Sequence, residues 1–293
     1  SAVVLIGLSR ARNLTRKGSD LSLPASEAVL DKMFFSAADY VLTQSLAEED
    51  DCLRNRGLMA AAMALTQLPA GTKEHPVGAD ELRVRLAQAL RAATARQEQG
   101  GAQGQAALCL ALWHGGMQRE AKSQLAALLK MSEPDGQDGL EFASGGGNNS
   151  HGFDDPLEAQ GLGIEALSVI DAANAQTKKA LKNLMDRRTD GWWGNTRATG
   201  VAVAAIARYL TGRGETGEDI SVEIAFGKSI LGTFLRNKQN LISARSRFEI
   251  AGDAFAQNAQ GNLRLTRKGG SPISGTITVR GLVPLTDQSQ GEE

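Results

Sequence analysis

Read as hydrophobic and polar positions, the chain alternates two kinds of helical stretch. From Val201 to Ala207 every side chain is apolar, so that segment has no face to offer water and belongs among protein neighbours. Similar apolar, alanine-rich runs begin near Ala2, Gly57, Gln105 and Leu157, with Thr196 opening the fifth. Their starts lie about 40 to 55 residues apart, the period of a repeated helix pair. Between them come helices with one wet face. Glu27–Leu46 is one, rich in aromatics at Phe34, Phe35 and Tyr40; Ala79–Arg96 sets Leu82, Leu86, Leu90 and Ala93 in a stripe. Arg119–Met131 does the same with Ala121, Leu125, Leu128 and Leu129, and Thr177–Arg188 with Ala180, Leu181, Leu184 and Met185. This alternation predicts a mainly α fold: over residues 1–236, an α/α-toroid of helical hairpins with the apolar helices lining the ring. An open superhelix of helix pairs gives the same pattern.

Turns and caps divide the chain consistently. Asp155-Pro156-Leu157-Glu158 reads as an N-cap, a proline at the first helical position and a glutamate able to reach back to the cap. Asn195 or Thr196 caps the last apolar helix, just after the paired Trp192 and Trp193. Gly71–Gly78, with Pro76, ends one hairpin, and Pro134–Asn149 is a long polar connection containing GGGNNS. After Asn237 the runs NLISARSRFEIAG, GNLRLTRKGG and SGTITVRGLVP alternate apolar and polar residues between glycines, which is the pattern of strands. Residues 237–293 are expected to be a β-rich segment that packs on, or completes, an adjacent β domain.

Charge and composition narrow the function classes. A net charge of −1 without a long basic run gives no footprint for nucleic acid. No apolar run approaches the roughly 18 residues a membrane span requires, and the residues after Ser1 lack the pattern of a signal peptide. Two cysteines, Cys52 and Cys109, are too few for a disulfide framework and sit beside apolar helical sequence. Aromatic residues make up only 4% of the chain, which suits helices packed closely through small side chains.

Trp193, Asn195, Thr196, Thr199, Ala202, Ala205, Ile206 and Tyr209 resemble a signature on a late helix of the thioester-type domain in the alpha-2-macroglobulin and complement family. Leu263–Gly269 followed by Gly275-Thr276-Ile277-Thr278-Val279 looks like the glycine-marked strands that follow this domain in its bacterial branch, and Asp155–Ala166 looks like the preceding helix. Gln160-Gly161 and Gly200 depart from the Thr or Ala usual there. The resemblance covers residues 155–284 and implies an α/α-toroid inside a large multi-domain protein that traps proteases or makes surface contacts, periplasmic or extracellular. Its thioester needs a glutamine three residues after the cysteine. Cys52 is followed by Leu53-Arg54-Asn55 and Cys109 by Leu110-Ala111-Leu112, so neither forms the bond. The expected function is therefore a non-catalytic, thioester-free module without a cofactor. Its expected partners are the other domains of the same large chain and a protease, with Trp192, Trp193, Asn195 and Thr196 as the interaction or structural signature.

Enzyme readings compete with this one. Asp50, Cys52 and His114 follow the order of the zinc ligands in protein prenyltransferase β-subunits, which are also toroids, and zinc accepts those ligand types. The inner helices, however, offer Ala, Val and Leu where a prenyl pocket wants aromatics. His151 with Asp154 and Asp155 could form an acid/base cluster, but Asp155 already has a cap to make and the extended acidic motif of terpene cyclases is lacking. Glycoside cleavage would need two facing carboxylates; Glu165 on an inner helix is one candidate, and an arginine or a backbone hydrogen bond that satisfies it is the alternative. Glu48-Glu49-Asp50-Asp51 suits a helix N-terminus through the dipole alone.

Overall fold

The computed structural model describes residues 2–16, 26–68, 78–96, 100–142, 155–189, 192–212, 219–236, 252 and 261–269. The chain divides into two compact units, residues 1–213 and 214–293. In the first, nine helices are described: α1 (Ala2–Arg16), α2 (Glu27–Ala47), α3 (Asp51–Leu65), α4 (Ala79–Ala95), α5 (Gly101–His114), α6 (Gln118–Lys130), α7 (Pro156–Ile170), α8 (Gln176–Asp186) and α9 (Thr196–Gly212). Fold class and helix order agree with the periodicity.

The helix starts follow from local chemistry. Asp50 Oδ1 accepts from Leu53 N–H at 3.0 Å to open α3, and Asp155 Oδ1 accepts from Leu157 N–H at 2.9 Å to open α7, with Pro156 at the first position. Asn195, rather than Thr196, caps α9, its Oδ1 accepting from Ala198 N–H at 2.9 Å. Between α5 and α6 the chain turns through Gly116 at φ 81°, a left-handed conformation that favours glycine.

The odd-numbered helices form a row in which each touches the next: α1 on α3, α3 on α5, α5 on α7, α7 on α9. Even-numbered helices flank them, α2 on α3, α6 on α5 and α8 on α7. Along α3, α5 and α7 nearly every side chain is buried, whereas α4, α6 and α8 bury only a stripe. Two glycines set the close approaches within the row. A Cβ on Gly104 of α5 would lie 3.1 Å from Cys52 Cα of α3, and one on Gly161 of α7 would lie 2.6 Å from Val201 Cγ1 of α9. Packing of small residues, not aromatic bulk, therefore builds the inner layer.

The connection expected to be irregular from Pro134 contains a small hairpin, β1 (Ser132–Pro134) paired antiparallel with β2 (Leu140–Phe142). Gln160 of α7, fully buried, holds it in place. Its Nε2 donates to Leu140 O at 2.8 Å and to Ala180 O of α8 at 2.7 Å, and its Oε1 accepts from Phe142 N–H at 3.0 Å. Beside it Gly163 leaves room for the Phe142 ring, which a Cβ would meet at 2.4 Å. Gln160 and Gly161, two of the three positions noted above as departures, thus have packing duties here, whereas a Cβ on Gly200 would meet nothing within 4 Å.

In the second unit β3 (Ile220–Phe226) and β4 (Ser229–Arg236) form a hairpin around Gly227, at φ 58°, and β5 (Leu263–Lys268) pairs with the other edge of β3, giving the order β4-β3-β5. Strands therefore begin at Ile220, inside the range 1–236 expected to be helical. The reason is visible in Ile220, Val222 and Ile224, which alternate with Ser221 and Glu223 before the Gly227 turn, a period of two rather than 3.6. β5 coincides with the expected run GNLRLTRKGG. The expected strands 240–252 and 274–284, apart from residue 252, and the glycine-rich stretches at 71–77 and 143–150 lie outside the described residues.

Candidate functional site

Three polar groupings interrupt the apolar inner row. The first surrounds Glu158. Rather than turning back to its own cap, this carboxylate points into the protein with no exposed surface and meets charged or hydrogen-bonding partners from three other inner helices. Oε2 lies 3.0 Å from Arg56 Nη1 of α3 and accepts from Gln103 Nε2 of α5 at 2.9 Å, while Oε1 accepts from Arg197 Nε of α9. Gln103 Oε1 in turn accepts from Asp155 N–H at 3.3 Å, and Asn195 Nδ2 donates to Asp155 Oδ2 at 3.0 Å. A buried charge is tolerated only when paired and hydrogen-bonded, and both oxygens meet that condition. They are occupied, so this carboxylate is a clamp rather than a base.

Cys52 lies at the same end of the row. It opens α3 directly after Asp50 and Asp51, is partly exposed and is in no disulfide. Asn55, the third residue after it, is buried and donates its Nδ2 to Gly104 O at 3.2 Å. Arg54 donates Nε to the Glu48 backbone O at 2.9 Å and pairs with the Asp51 carboxylate, so α3 supplies a cation to one acid of the run. Cys109 is fully buried in α5, where loss of solvent raises its thiol above the ordinary range.

At the other end, Glu165 of α7, nearly buried, receives the guanidinium of Arg10 of α1. The arginine anticipated for this acid is therefore the one supplied by the first helix. His114, half-buried at the last position of α5, is pushed down to about 4; burial is the main cause, the charges of Arg208 and Arg10 act in the same sense, and Glu165 opposes them. Cys52 packs against Gly104, and His114 follows ten positions further along the same helix, a rise of about 15 Å. The structure thus separates the zinc trio: Asp50 and Cys52 stand at the start of α3, His114 at the far end of α5. Among the described residues no group of three His, Cys, Asp or Glu could hold a metal ion. His151 and Asp154 lie outside the described residues, and Asp155 is engaged as a cap.

The paired tryptophans divide their roles. Trp193 is buried, donates Nε1 to Leu184 O of α8 at 2.7 Å, and has the Arg188 guanidinium 5.6 Å from its ring centre. Its backbone N–H donates to Thr199 Oγ1 at 3.1 Å, so it fastens α8 to α9. Trp192 is 61% exposed and its backbone is bridged to that of Thr189. Thr196 is exposed at the first position of α9.

Sequence reasoning passed over Arg56, Gln103 and Arg197, and saw Gln160 only as a departure from a resemblance, although these residues bond across this interior. Their signal was a polar or charged side chain inside a helix otherwise too apolar to have a wet face. No described helix is long and apolar enough to cross a membrane. Compared with family models and with curated proteins, the chain matches none.

Proposed function

We propose that the helical unit is a non-catalytic, thioester-free scaffold of the alpha-2-macroglobulin type, its hairpins arranged as an α/α-toroid, working through contacts with neighbouring domains and with a protease outside the cytoplasm. The observation that carries this reading is the state of Asn55. It occupies the place, three residues after Cys52, where thioester chemistry requires a glutamine, and its amide is already spent on Gly104 O. Two features lend further support: the Arg10–Glu165 pair joins the first inner helix to the seventh helix, as a curved row allows, and the buried acids Glu158 and Glu165 are both neutralised by arginines.

Thiol titration tests the reading. In the native protein Cys52 should react with a maleimide without prior treatment, Cys109 should react only after unfolding, and methylamine should change neither result nor the intact mass. A thiol silent until methylamine is added, or one zinc per chain by elemental analysis that is lost in Cys52→Ser, would overturn it.

A further inference from the structure

The charges of α8 are arranged against its own stability. Lys178 and Lys179 stand among the first four residues of the helix, at the end where the backbone dipole is already positive, and that turn carries no acid. Lys182 follows Lys178 one turn later as a like-charged neighbour. Asp186 accepts from Lys182 Nζ at 2.8 Å, but it sits in the last turn, where the dipole disfavours an anion. Both Lys178 and Lys179 are exposed, and among the described residues no acid pairs with either.

The chain just past the helix adds to this pattern. Arg187 pairs with Glu141 of β2, whereas Arg188 is exposed, its guanidinium 5.6 Å from the centre of the Trp193 ring. Trp192 is exposed and bridged through its backbone to Thr189, which follows Arg188 directly. Met185, also exposed, lies three residues beyond Lys182 and seven beyond Lys178, on the same face of α8. Tryptophan and arginine are the side chains that carry most energy at protein contacts, and a merely solvated face has no use for an open indole. A lipid surface fits less well, because Ala180 and Leu184, the apolar side of α8, are fully buried and not free to enter a bilayer.

We propose that the outer face of α8, together with Arg188 and Trp192, is the docking site for an extended acidic segment of a protein partner. Its carboxylates lie opposite Lys178, Lys179 and Arg188 and supply the negative charge that the helix lacks, which fixes orientation and speeds encounter. An apolar side chain between them meets Trp192 and Met185. From Lys178 to Met185 the helix rises about 10 Å, which a few residues of extended chain can cover. Nothing in this contact depends on Cys52 or Asn55, so it stands or falls apart from the thioester-free reading.

Fluorescence anisotropy on the full chain tests it, with a fluorescein-labelled peptide of repeated Glu-Glu-Leu as the probe. Wild type should bind this peptide and not its Lys-Lys-Leu counterpart, and added salt should weaken the binding. Lys178→Glu and Trp192→Ala should each lower the affinity about tenfold. Lys178→Glu also places an acid where the dipole favours one, so its thermal stability should not fall and the loss of binding is not a loss of fold. Lys32→Glu, the same charge change at an exposed position of α2, should leave binding unchanged. A probe that does not bind wild type, an equal loss in Lys32→Glu and Lys178→Glu, or full binding by Trp192→Ala would each overturn the proposal. Tighter binding to phosphatidylglycerol vesicles than to the peptide would overturn it in favour of a membrane.

Discussion

Arg56 Nη1 of α3 stands 3.0 Å from Glu158 Oε2 of α7, and the carboxylate between them and Arg197 has no contact with solvent. Removing one partner of such a buried set leaves the others uncompensated, which costs about 3–5 kcal/mol. Glu158→Gln is expected to destabilise the helical unit by that order, read from its urea midpoint. The pair of changes Glu158→Leu with Arg56→Met should recover part of the loss, since it removes opposite charges together.

Gly161 lets α7 approach α9, where an added methyl would fall 2.6 Å from Val201 Cγ1 and 3.3 Å from the Val201 carbonyl carbon. Gly161→Ala should cost about 1–3 kcal/mol by overpacking. Adding Val201→Ala removes the side-chain clash but not the backbone one, so thermal unfolding should show partial rescue only.

The two neighbouring tryptophans should respond in opposite ways. Trp193→Phe deletes the 2.7 Å bond to Leu184 O within a buried pocket and is expected to cost about 1–3 kcal/mol. Trp192→Ala, at a position 61% exposed, should stay within about 0.5 kcal/mol of wild type. Denaturant melts of the two variants decide the matter.

His114 supplies a pH dependence with a definite sign. Its native value is lowered to about 4 while the unfolded chain keeps the ordinary value near about 6.5, so between these limits the unfolded state binds more protons. Stability from this group is complete above about pH 6.5 and is lost as the pH falls towards about 4, by roughly 1–2 kcal/mol for a half-buried ring. His114→Gln should flatten the profile in that window, measured as the urea midpoint against pH. A slope unchanged by the substitution would assign the effect to other groups.

The alternation of apolar and half-wet stretches was enough to order nine helices, because which face a helix buries is written in its own period. Partners distant in sequence were not readable in that way. Glu158 looked like half of a capping box because only its local neighbours are visible in the string; its true partners sit on three other helices, one of them 39 residues away. Asp50, Cys52 and His114 failed as a cluster for the same reason, since residue order does not say which end of a helix meets which. Val201–Ala207 was expected to be enclosed on all sides, yet Val203 and Ala207 face solvent, because α9 is the last inner helix of the described row. The hairpin of β3 and β4 was hidden by extending the helical rhythm past the point where the period changed to two.

The arrangement about Glu158 also imposes an order on assembly. Arg56 and Gln103 are made before the glutamate and Arg197 after it, so a chain emerging from the ribosome has a cation and an amide waiting when the acid arrives. The first three members can gather while α9 is still unmade. Arg197 then fastens the last helix onto a nucleus already formed, and a fragment ending before Thr196 should keep its anion beside Arg56 but leave the Oε1 side open to water.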